Sequence, residues 1–343
     1  MPTNTDALAR RITRCHPQTA AVAQIGRRVA DELLNLGAMV PADDWLIIGG
    51  SLARGEPTFI PHGGDLILGS DIDCMYVHYG DEPSMPVADL VTVAEKTFPH
   101  VDMMTMPLAD YRALGTLLGF DVKNIGLSVT DRGLPPHDSV QLELPRDAYE
   151  NLLYYTQAWF WSRCTQRWLT GPDADFHRTV SRLCVKILRS TAMLDGAYCH
   201  HDLHKMPTNV AERMRSELAW RANPTQPPMN PGRFWSYLAD AFDRFDTAYG
   251  CVHTDAITGT RYSRSLHGHI IAGHHQRVHR LARHLAYTWL ASPDPHQLAN
   301  VMRQVWDSVT GWTGTIPHEG PEDYFAAHQR EIHDHLLEMK VRT

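Results

Sequence analysis

The chain has 343 residues and a mass of 38.8 kDa, more than one typical domain of roughly 100–200 residues, so two domains are expected. With 43% hydrophobic and 21% charged residues, no window apolar enough to span a bilayer and no secretion signal at the N-terminus, the expectation is a soluble protein. The net charge of −7 disfavours a general nucleic-acid binder, which needs a dense basic surface, and six scattered cysteines with no CxxC pair suit the reducing cytoplasm.

Helical periodicity runs from Asp6 to Met39, with Ala20, Val22, Ile25, Val29, Leu33 and Leu34 on one face, a break at Pro17 and Gly37 as the expected stop. An apolar strand over 45–50 runs into Gly49-Gly50-Ser51. A short helix is expected to begin near Ser51, with the Ser51 hydroxyl as its N-cap, and Gly55 and Pro57 hold it to one or two turns. The stretch from Pro57 to Gly69 contains Pro61, Gly63 and Gly64 and reads as a loop or hairpin. A strand over 71–79 follows, then a helix opened by Pro86 with Val87, Leu90, Val91 and Ala94 on one face. A third strand, Val101 to Met106, carries Asp102 at its start.

From Asp147 onward the texture changes to long amphipathic stretches: 147–169, 175–195, 208–221, 232–248, 268–290, 294–309 and 322–339. Breaks fall at Gly171-Pro172, Gly196, Pro207, the proline-rich 224–232 and Pro293, and no repeat of fixed period is present. The boundary between the halves lies in 134–145, which divides the chain into 1–143 and 144–343.

Side chains two apart on a strand share a face, so Asp71 and Asp73 project together while Ile72 packs behind them. Two carboxylates held side by side call for a cation. Mg²⁺ takes one or two carboxylates together with water and phosphate oxygens, which suits this pair to a metal-bound nucleoside triphosphate. Asp102, on the neighbouring strand, can complete a two-metal site or act as a base. SDID alone arises easily by chance; the upstream Gly49, Gly50 and Ser51, whose backbone amides can approach phosphate at a helix N-terminus, give it weight.

GGS, a spacer, SDIDCMYV and then HVDMMTM resemble the nucleotidyltransferase superfamily that includes DNA polymerase β, and GGSLARGE is most similar to its bacterial, antibiotic-modifying members. The resemblance covers about residues 45–106 and implies an α+β fold, a mixed-sheet domain followed by an all-α domain. It further implies that Gly50 and Ser51 hold the triphosphate, that Asp71 and Asp73 ligate Mg²⁺, with two ions expected, and that Asp102 is a ligand or base. The spacer from Ser51 to Asp71, which holds PTFIPHGGDLILG and a rival carboxylate, Asp65, is longer than the family's usual short loop. The implied reaction is in-line attack of an acceptor oxygen on the α-phosphorus of a triphosphate, ATP by preference, with release of pyrophosphate.

In the helical half, Phe176, Val180, Leu183, Cys184, Ile187 and Leu188 form an apolar stripe, Arg178, Arg182 and Arg189 are placed opposite, and Lys186 sits at the border. By similarity to the helical domains of antibiotic adenylyltransferases, Lys186 is expected to contact the β- and γ-phosphates, with Lys205 a weaker second; a solvated lysine is the commoner fate of any single one. Arg54, after the glycine turn, is a further phosphate candidate or an exposed side chain. Histidines in CHHDLH (199–204) and at 267, 274, 275 and 279 lack HExxH spacing and read as solvated faces rather than a zinc site. Trp159, Trp161 and Trp168 read as core or an interdomain wall rather than a base-stacking platform.

The sequence expectation is therefore a cytoplasmic enzyme that moves a nucleoside monophosphate to a hydroxyl or phosphate of a small molecule, with nucleic acid disfavoured and a membrane excluded as partners and a homo-oligomer compatible. Two alternatives stand beside it. One is a polymerising or cyclising nucleotidyltransferase; the other is a non-catalytic nucleotide-binding or antitoxin-like regulator.

Overall fold

The computed structural model describes residues 5–115, 117–141, 174–198, 200–222 and 232–257, with positions 148, 152, 230, 290, 291, 293 and 294. The expected helices at 147–169, 268–290, 294–309 and 322–339, the three tryptophans and the 267–284 histidines lie outside the described residues, apart from those single positions. The protein is α+β, with a mixed sheet and several helices. The chain divides into two compact units, Met1–Glu143 with Leu218–Gln226, and Leu144–Glu217 with Pro227–Thr343.

The first unit opens with α1 (Thr5–Ile12) and α2 (Ala20–Ala38), separated at Pro17 as expected. Thr19 caps α2: its side chain accepts from the Val22 amide and satisfies one of the orphan donors of the first turn. Gly37 is not the stop, because the helix continues to Ala38 and is capped by Met39. Its lack of a side chain serves packing instead. A Cβ there would lie 2.0 Å from the Val129 carbonyl oxygen.

Strand β1 (Trp45–Ile48) is buried throughout. It leads through Gly49 into the one-turn helix α3 (Gly50–Ala53) and then into a hairpin of β2 (Phe59–His62) and β3 (Asp65–Leu68). Gly63 and Gly64 adopt positive φ, 58° and 91°, at the hairpin tip, a conformation glycine reaches without strain. β4 (Ile72–His78), α4 (Val87–Ala94) and β5 (Val101–Pro107) follow, then α5 (Leu108–Ala113), α6 (Leu117–Phe120), a π-turn at Asp121–Ile125 and the short β6 (Leu127–Ser128).

The sheet order is β5-β4-β1-β6; β1 is antiparallel to both β4 and β6, while β4 and β5 run parallel across α4. Parallel neighbours require a crossover, and α4, with Leu90 and Ala94 buried, supplies it. One sheet face carries Trp45, Ile47, Met75 and Val77, flanked by Met104 and Met106, and is covered by Leu108, Tyr111 and Val122. Leu46, Ile48, Ile72, Cys74 and Tyr76 point to the other face and are buried as well.

In the second unit the described elements are helical: α7 (Ala174–Met193), a 3₁₀ turn at His200–Lys205, α8 (Thr208–Ala222, shared with the first unit beyond Glu217) and α9 (Arg233–Ile257). Phe176, Val180, Leu183, Cys184, Ile187 and Leu188 are buried along α7, as the periodicity predicts. Arg189 departs from its expected exposed side. It is buried, with its guanidinium 5.5 Å from the Tyr198 ring centroid, where a cation gains from the ring's negative face. The last turn of α8 counts with the first unit, where Arg221 Nε donates to Thr58 Oγ1 at 3.2 Å. Among the described residues no helix is long and apolar enough to cross a membrane.

Candidate functional site

Residue alternation on β4 places Asp73 on the face that carries Met75 and Val77, and Asp71 directly precedes the strand. The parallel register pairs Asp73 directly with Asp102, one strand over. Asp71 and Asp73 are half-buried and Asp102 is exposed. On the other side of β4, the Gly49 amide donates to the Asp73 carbonyl at 2.8 Å, which continues the β1–β4 ladder by one residue beyond the strand. The glycine turn, Asp73 and Asp102 thus lie in one row across three adjacent strands.

The turn itself differs in detail from the expectation. α3 starts at Gly50, Gly49 is its N-cap without a side-chain bond, and Ser51 is the second residue of the helix rather than its cap. Ser51 Oγ is shielded from solvent and makes no hydrogen bond, so its donor is spare. Gly50 has φ 58°, and a Cβ there would overlap the Asp73 carboxylate, 1.6 Å from Oδ2. Glycine is required on both counts: left-handed backbone and close approach.

The long spacer does not separate the turn from Asp71. At the hairpin base the Thr58 amide donates to Ser70 Oγ at 2.7 Å and the Gly69 amide to the Thr58 carbonyl at 2.8 Å. These bonds bring the ends of the insertion together, and the extra residues form a hairpin. Asp65, the rival carboxylate, starts β3 on this hairpin and is exposed.

Arg54 is not an exposed side chain. It is 4% exposed and ion-paired with Asp121 and, at 3.4 Å, with Glu56, itself 1% exposed. A guanidinium paired with two carboxylates is held in place by charge-assisted hydrogen bonds. Its partner Asp121 lies 67 residues downstream, a distance over which sequence carries no pairing signal.

Lys186 is half-buried on α7 and Lys205 is exposed at the end of the 3₁₀ turn; both belong to the second unit, and the three aspartates to the first. Cys74, next to Asp73 in sequence but on the opposite sheet face, has its thiol pKa pushed up by burial and, after that, by the charges of Asp73 and Asp102. With Cys74 on the other face, the donor set at the strand ends is hard carboxylate oxygen, which fits Mg²⁺ better than a soft metal. Among the described residues no three His, Cys, Asp or Glu side chains converge as a preformed cage, so a cation here would take much of its coordination from water and substrate.

Comparison with known protein families, with curated proteins and with solved structures gives no match for this chain.

Proposed function

We propose that the protein is a Mg²⁺-dependent nucleotidyltransferase of the polymerase β-like type. It moves a nucleoside monophosphate, AMP by preference, from a triphosphate to a hydroxyl or phosphate of a small-molecule acceptor and releases pyrophosphate. The observation that carries this reading is the register pairing of Asp73 with Asp102, beside a glycine turn that has no room for a Cβ. Two carboxylates on adjacent strands, with a third two residues upstream, concentrate negative charge at one end of the sheet.

Asp71 and Asp73 would hold the metal, with Asp102 as a further ligand or as the base that takes the acceptor proton. Bound Mg²⁺ would supply charge neutralisation to the triphosphate. Gly49 and Gly50 let the chain approach phosphate closely, and the spare Ser51 hydroxyl can donate to it. Lys186 and Lys205 are proposed as secondary contacts to the β- and γ-phosphates.

The second reading is a nucleotide-binding protein without turnover. Mass spectrometry of products from a broad acceptor panel, with Mg²⁺ and each triphosphate in turn, separates the two. A nucleotidylated acceptor with stoichiometric pyrophosphate supports transfer. Triphosphate recovered intact with every acceptor supports binding alone, and product formed without an acceptor supports polymerising or cyclising chemistry.

A further inference from the structure

The buried ion network around Arg54 has a geometry that its stability contribution does not explain. Replacing a buried ion pair by apolar side chains of similar volume is often neutral or stabilising, so such a network gives position more readily than free energy. Its members converge on the glycine turn. The Arg54 amide closes α3 by donating to the Gly50 carbonyl at 3.1 Å, and the Glu56 amide donates to the Ser51 carbonyl at 2.8 Å. Arg14 clasps the same turn from α1's side, with Nε on the Arg54 carbonyl at 3.2 Å and Nη2 on the Ala53 carbonyl at 3.1 Å.

The far end of the network is Asp121, the first residue of the π-turn Asp121–Ile125. This turn is closed by the Gly126 amide on the Asp121 carbonyl at 2.8 Å. Gly126 is itself held tightly, since a Cβ there would lie 2.3 Å from the Val122 carbonyl oxygen and 2.8 Å from Ile47 Cγ2. Val122, next to Asp121, belongs to the core over the acid-bearing face, and its Cγ1 would be 3.7 Å from a Cβ at Gly49. Asp121 is thus anchored to the sheet by its backbone and to α3 by its side chain. Such π-turns recur at functional sites.

We propose that Asp121 is a positioning residue: acting through Arg54, it fixes the one-turn helix Gly50–Ala53 against the Asp73 carboxylate and so sets the affinity of the site for a Mg²⁺-bound nucleoside triphosphate. The ligand in this inference rests on the nucleotidyltransferase reading; the clamp rests on the geometry alone.

The test uses the full chain with Asp121→Asn, which keeps shape and removes charge, and Asp121→Glu as the conservative rescue. Amide hydrogen exchange is followed over 49–56 and over β4, and MgATP binding by equilibrium dialysis with radiolabelled ATP. The expected result is about a tenfold loss of protection confined to 49–56 and about a tenfold rise in Kd, with β4 unchanged and both effects largely reversed by Asp121→Glu. A second variant that replaces the whole network by apolar side chains, Arg54→Met with Glu56→Leu and Asp121→Leu, is expected to keep the thermal midpoint while losing the same turn protection, which separates position from stability if Asp121→Asn folds poorly. Unchanged exchange at 49–56, loss spread evenly over the sheet, or an unchanged Kd in a variant of a binding-competent protein would each overturn the proposal. A wild-type chain that binds no MgATP would instead remove the nucleotide reading and the affinity clause with it, and the exchange pattern would still decide the clamp.

Discussion

A Cβ on Gly50 would lie 1.6 Å from Asp73 Oδ2, so the left-handed turn and the carboxylate occupy adjoining space that a larger residue would contest. Gly63 supplies an internal control: it has the same φ of 58°, yet a Cβ there meets nothing within 4 Å. Gly63→Ala should cost only the backbone strain, about 1–2 kcal/mol. Gly50→Ala should cost that plus the displacement of Asp73, and should also abolish triphosphate binding. Urea denaturation of the two variants measures the difference; equal losses would mean that the Asp73 contact carries no energy.

Asp73→Asn and Asp102→Asn should each lower pyrophosphate release by at least about a hundredfold, because the reaction depends on preorganised charge rather than on covalent chemistry by the protein. The folded state should not suffer. Removing one of two neighbouring like charges relieves repulsion, so the unfolding midpoint is expected to hold or rise slightly. Turnover left intact in Asp73→Asn at saturating Mg²⁺ would exclude the assigned site.

At a separate place in the fold, Asp44 is buried and accepts from Tyr76 Oη at 2.5 Å and from the Tyr79 and Ser84 amides at 3.2 and 3.1 Å. Burial by itself raises the carboxyl, but these hydrogen bonds outweigh it and hold Asp44 below the usual carboxylate range. A depressed native pKa means that the stabilisation is complete above the unfolded value, about 4, and is lost as pH falls through the native one. Tyr76→Phe should therefore cost about 1–3 kcal/mol at neutral pH. The gap to wild type should narrow below about pH 4, as measured by chemical denaturation across pH. A gap independent of pH would assign the effect to packing instead.

Lys186→Ala should raise the Michaelis constant for the triphosphate severalfold with little change in kcat, the signature of lost binding common to ground and transition states. Lys205→Ala should have a smaller effect, since that side chain is exposed. Constants unchanged in both would return the two lysines to the solvated surface.

The sequence determined what depends on a few adjacent residues. The apolar runs over 45–48 and 74–77, the break at Pro17, the glycine tip of the 57–69 insertion and the buried stripe of α7 are all local, because backbone sterics and side-chain periodicity act within a turn or a strand. The GGS turn and Asp71/Asp73 were legible for the same reason.

The tertiary structure decided every pairing made across long loops. It set Asp73 opposite Asp102, pinched the insertion at Thr58 and Ser70, turned Arg54 inward onto Asp121 and put the Val129 carbonyl against Gly37. It also buried Arg189, which helical periodicity alone places outside. Such contacts are fixed by which surfaces the whole chain can bury together, and no window of neighbouring residues contains both partners.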